Sequence, residues 1–155
     1  MAEIHEIMNG LNSPDLSARW RAAIDLQEKM RNNPGQMKGL VLARAAVARL
    51  EVDYNSPKRG DGIDRYAMIM ENCLYTLGHA ISAGIDISEI HDRVIEIVRT
   101  LKNDGHRWVR EAVDYVEQKH EEKKRDVKVT TWDTERMTAI RNRDTPTKPA
   151  RAIVK

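Results

Sequence analysis

Five histidines, one cysteine and twenty-four carboxylates are the residues of this 155-residue chain whose types could do chemistry. His5, His79, His91, His106 and His120 are not paired at metal-ligand spacing: no His-Glu-x-x-His occurs, and Cys73 has no second cysteine to join it. Neither the phosphate-cradling Gly-x-x-x-x-Gly-Lys nor the dinucleotide pattern Gly-x-Gly-x-x-Gly is present, and no nucleophile elbow presents a serine. Paired carboxylates such as Glu121-Glu122 fall on a solvated helix end, and Arg59-Gly60-Asp61 falls in a turn. Cys73 sits among apolar residues at helical spacing and reads as a buried structural thiol. With no catalytic, cofactor-binding or metal-binding set to place, the expectation is a protein that is not an enzyme and takes no cofactor.

Charge points to partners instead. The net charge of +2 is unevenly spread. Residues 123–155 hold ten Lys and Arg against four Asp and Glu, a balance of +6, which leaves −4 for residues 1–122. The basic arm also carries apolar residues, and Pro146 and Pro149 near its end. It is too polar to build a core of its own, and the expectation is a segment that orders on a partner. Trp132, Met137 and Ile140 would anchor it, while Lys123, Lys124, Arg125, Arg136, Arg141 and Arg143 would make charge contacts.

The elements ahead of that arm are helical. Ile4, Ile7, Met8 and Leu11 mark a short helix over 2–11, and Ser13 is placed to cap the next one, with Pro14 in its first turn. That helix, 15–31, is expected to bury Leu16, Trp20, Ala23, Ile24 and Met30. The third, 36–53, is apolar on most sides, with Leu40, Val41, Ala45, Val47, Ala48 and Val52. Ile63 to Ile81 gives the clearest amphipathic run, closed by Gly84 as a left-handed cap. Asp86 and Glu89 have capping-box spacing ahead of a helix over 87–101, and Asn103-Asp104-Gly105 turns into the last, 106–122. Core packing is the expectation for both Trp20 and Trp108. No run approaches the roughly 18 apolar residues of a membrane span, and the N-terminus lacks the character of a signal peptide, so a cytoplasmic protein with no membrane partner is expected.

These helices contain a repeat. Asp15, Arg21, Ala23, Ile24 and Asp25 recur in kind as Asp104, Arg110, Ala112, Val113 and Asp114, a shift that is twice the length of a HEAT or armadillo unit. Asp61 stands near the place of a middle copy, without a matching Arg. The pattern resembles HEAT repeats over residues 1–122. That resemblance implies an all-α stack of three helical hairpins, and a ladder between units in which Asp15 with Arg21 and Asp104 with Arg110 take structural roles. It also implies a face of second helices offered to another macromolecule. The sequence thus divides into a helical domain, 1–122, and a basic arm, 123–155. The expected function is that of an adaptor, regulator or assembly subunit binding another protein or a multi-subunit complex. Nucleic acid held by the arm is the alternative partner.

Overall fold

The computed structural model describes the backbone of residues 3–141 and the side chains of residues 3–124. The protein is all-α: six helices, α1 (Ile4–Leu11), α2 (Leu16–Arg31), α3 (Gln36–Tyr54), α4 (Ile63–Ser82), α5 (His91–Leu101) and α6 (Arg107–Arg141), with no strand among the described residues. Short 3₁₀ turns at Pro57–Gly60 and Ser88–Ile90 precede α4 and α5. Contacts divide the chain into two units, residues 1–120 and 121–155.

In the first unit α4 is the centre. Twelve of its twenty residues are buried, because it packs against both α2 and α3. Met70, Cys73, Leu74 and Leu77 are fully out of water, together with Leu26 of α2 and Leu42, Val47 and Leu50 of α3. α1 packs on α2, and α3 meets α5. Close approach is built from small residues: a Cβ on Gly10 would lie 2.6 Å from the Cβ of Ala22, which brings α1 down onto α2.

The helix ends follow local chemistry. Asp15, not Ser13, caps α2: its carboxylate accepts from the Ser17 N–H, while Ser13 Oγ accepts from the Asp15 N–H. Pro14 accordingly lies outside the helix. Gly84 takes φ +79°, and the Ile85 and Gly84 amides return to the Ala80 and Ile81 carbonyls in a Schellman motif that tucks Ile85 into the core. Asp86 accepts from the Ser88 N–H, whereas Glu89 turns away to pair with Arg44. The loop before α5 is fastened to α3 by a reciprocal pair: Gln36 Nε2 donates to the Asp86 carbonyl, and the Asp86 N–H donates to Gln36 Oε1.

Two inward assignments, on α2 and at Trp108, change, and α3 acquires a direction. On α2 the buried face is Ala22, Ala23, Leu26 and Met30, while Leu16, Trp20 and Ile24 are half-buried at its edge. On α3 Val41, Ala48 and Val52 face water. Trp108 is 41% exposed. α6 also continues past residue 122 to Arg141, since no Gly or Pro interrupts residues 107–143 and Glu, Lys and Arg there are good helix formers.

Candidate functional site

Two partly buried Arg–Asp pairs join elements that are far apart in sequence. At the first junction Asp53, near the end of α3, is fully buried. Its Oδ1 accepts from Arg49 at 2.8 Å and from Arg19 of α2 at 3.2 Å. The same arginines reach the end of α1: Arg49 Nη1 donates to the Leu11 carbonyl at 2.6 Å, and Arg19 donates twice to the Ser13 carbonyl. Burial raises the Asp53 pKa, and Arg49 and then Arg19 pull against that rise. At the second junction Arg59, in the turn before α4, meets Asp104, in the turn before α6, at 2.5 Å.

The residues named from the repeat are used differently. Asp15 caps its own helix and Arg21 is exposed, with no ion pair between them. Arg110 donates to the backbone carbonyl of Asp104 at 2.6 Å, while the Asp104 carboxylate is taken by Arg59 and by the His106 N–H. Arg19 to Ser13 and Arg110 to Asp104 are the same local device, an arginine reaching back six residues to a carbonyl of the turn that leads into its helix. Sequence reasoning missed Arg19, Arg49, Asp53 and Arg59. The four-residue spacing of Arg49 and Asp53 on one helix was the available signal.

Between α4 and α6 lies a polar, aromatic face. Trp108 N–H donates to His106 Nδ1, so the ring carries its proton on Nε2 and donates to Asp64 Oδ1 at 2.9 Å. Further along, the Tyr75 and Tyr115 rings sit 5.1 Å apart, tilted by 60°. Tyr115 lies against the bare backbone of Gly78, and its Oη is 3.0 Å from His79 Nδ1. Burial, with Arg31 and Lys119 nearby, lowers the His79 pKa, which favours the neutral ring beside the Tyr115 hydroxyl. Glu71 is shifted the other way, raised by burial and by Glu111. Burial, then Glu71 and Glu111, raise the Tyr75 phenol.

α3 leaves an apolar stripe in water. Met37 is 84% exposed and Val52 57%; Val41 and Ala48 lie between them at spacings of four and seven residues. Arg44, on the same stripe, is drawn aside by Glu89 at 2.6 Å. The stripe runs into a groove between α1 and α3 lined by Met8, Leu11, Ala45, Ala48 and Val52, with the polar Asn12 and Arg49.

Cys73 is fully buried, and burial pushes its thiol pKa up, away from reactivity. Among the described residues no group of three or more His, Cys, Asp or Glu is placed to hold a metal ion, and no helix is long and apolar enough to cross a membrane. Lys123 and Lys124 are exposed on α6, with Lys124 3.8 Å from Glu121. The side chains of Arg125, Trp132, Arg136, Met137, Ile140, Arg141 and Arg143 lie outside the described residues. Comparison with known proteins finds no match: no family model, no curated protein and no solved structure is similar to this chain.

Proposed function

We propose that the chain is a non-enzymatic protein–protein interaction module of the cytoplasm, an adaptor, regulator or assembly subunit of a larger complex. In this reading it is a short HEAT-like stack of three hairpins that binds through its helical surface and its basic arm. The single observation that carries the reading is the α3 stripe. Apolar side chains scattered singly over a surface need no explanation, but Met37, Val41, Ala48 and Val52 form one row that continues into the α1–α3 groove. A partner covering the row would gain about 25 cal/mol for each Å² of apolar surface removed from water. The +6 arm supplies long-range attraction to an acidic partner surface.

The arm also favours a second reading, in which it neutralises nucleic-acid phosphates. One experiment separates the two. The full chain, a version ending at Glu122 and a Met37→Ser, Val52→Ser variant are used as baits in native lysate. A protein recovered by the full chain and lost by the variant or the truncation supports the interaction module. Recovery abolished by nuclease, or falling steeply with salt, moves the function to nucleic acid.

A further inference from the structure

We propose that the exposed side of the α4–α6 pair docks a lysine- or arginine-bearing segment of a partner protein, with one cationic side chain seated between Glu71 and Glu111 and against the rings of Tyr75 and Tyr115. The inference rests on the interaction reading above and adds the partner's chemistry.

The two helices run parallel here. Asp64 meets His106 and Tyr75 meets Tyr115, so the intervening turn sets Glu71 beside Glu111. Each carboxylate stands four residues before a tyrosine on its own helix, on the same face. Two negative charges therefore converge at one edge of an aromatic pair. His106, the group that acts against the rise at Glu71, directs its Nε2 proton at Asp64. Glu111 pairs with Arg107 of the preceding turn, at 2.8 Å, and both side chains of that pair are more than half exposed, so the bond is weak and easily exchanged.

A cation from outside would relieve the repulsion between the half-buried Glu71 and the exposed Glu111 and gain the π-face of a tyrosine as well. The Tyr115 ring already shows this use: Lys119 holds its ammonium 5.4 Å from the ring centre. The sign of charge changes along the face, from Asp64, Glu71 and Glu111 at one end to Arg31 and Lys119 around His79 at the other. An incoming cationic side chain is thereby directed to the Glu71 end.

The test uses the full chain and a fluorescein-labelled octalysine peptide. Amide chemical shifts are mapped by NMR, and affinity is read by anisotropy for the native chain, Glu71→Gln with Glu111→Gln, and Tyr75→Ala with Tyr115→Ala. The expected result is shifts concentrated at residues 68–79 and 108–119, with affinity falling about tenfold in the Glu double variant. Both double variants are required to keep the native helical circular dichroism; if the tyrosine pair does not, Tyr75→Phe with Tyr115→Phe takes its place and is expected to retain binding. Shifts centred elsewhere, no binding, or equal affinity for native and Glu variants overturns the proposal. Capture of a lysate protein that the Glu double variant leaves intact overturns this inference and leaves the interaction module standing. Octalysine bound at this face, with no protein captured by the full chain, removes the interaction reading and with it the partner segment proposed here.

Discussion

Arg49 and Asp53 lie one helical turn apart, 2.8 Å between Nη2 and Oδ1, with about nine tenths or more of both side chains out of water. A buried charge pair of this kind contributes modestly as a pair, yet removal of one member strands the other. Asp53→Ala would leave Arg19 and Arg49 facing each other without a counter-charge, and would release their hold on the end of α1 through Leu11 and Ser13. The expected loss is about 3–5 kcal/mol of unfolding free energy, measured by urea denaturation. A loss below about 1 kcal/mol would show that the junction is held by apolar packing alone.

Gly10 and Gly78 are predicted to respond differently to alanine. At Gly10 the obstacle is the Cβ of Ala22, which cannot move without its helix, so Gly10→Ala forces α1 away from α2 at about 1–3 kcal/mol. At Gly78 the obstacle is the Tyr115 ring, the outer part of a half-buried side chain. Gly78→Ala combined with Tyr115→Ala should therefore lose less than the sum of the two single changes. A double-mutant cycle by thermal or urea unfolding reads this coupling directly.

His79 makes stability depend on pH below neutrality. Its folded pKa is lowered beneath 6.5, chiefly by burial. The unfolded chain therefore takes up the proton first, so the contribution is present above pH 6.5 and is lost as pH falls through the folded pKa. The melting temperature should drop between pH 7 and pH 5, and His79→Gln should flatten that part of the profile. An unchanged slope in the variant would assign the acid sensitivity to other groups.

Glu71 has the opposite sign. Its folded pKa is raised above 4.5 by burial and by Glu111, so its contribution is full below 4.5 and is lost as pH rises through the folded value. Glu71→Gln should raise the melting temperature at pH 7 and give no gain at pH 4. Solvent screening of this half-exposed group keeps the effect below about 1 kcal/mol.

Met37→Ser and Val52→Ser should each leave stability within about 0.5 kcal/mol, since neither side chain is packed in the core. Comparable melting curves beside reduced partner capture would identify the stripe as binding surface. A marked loss of stability would show that these side chains pack in solution.

The six helices were legible because apolar residues recur at helical spacing, and Gly84 and Asn32 to Gly35 punctuate them. The direction of α3 was not. Its apolar residues surround the helix, so periodicity carries no inward vector, and only the positions of α4 and α5 decide that Leu42, Ala46 and Leu50 are buried while Val41 and Val52 are not. The rise in charge after residue 122 marks the end of apolar burial and not the end of α6, since no residue there stops a helix. The junction pairs were hidden for another reason. Spacing rules see partners three or four residues apart, whereas Arg19 finds Asp53 34 residues on and Arg59 finds Asp104 45 residues on. Tyr75, Tyr115, Glu71 and Glu111 share a face only once α4 and α6 lie side by side, which no local pattern specifies.

The central place of α4 has a consequence in time. A helix with neighbours on two sides cannot expose its amides by fraying or by the departure of one flanking element. The N–H groups from Ile69 to Leu77 can exchange with solvent hydrogen only when the whole unit opens, so their exchange rates report the global unfolding equilibrium. Within that unit α1, eight residues long and resting mainly on α2, is expected to exchange ahead of α4.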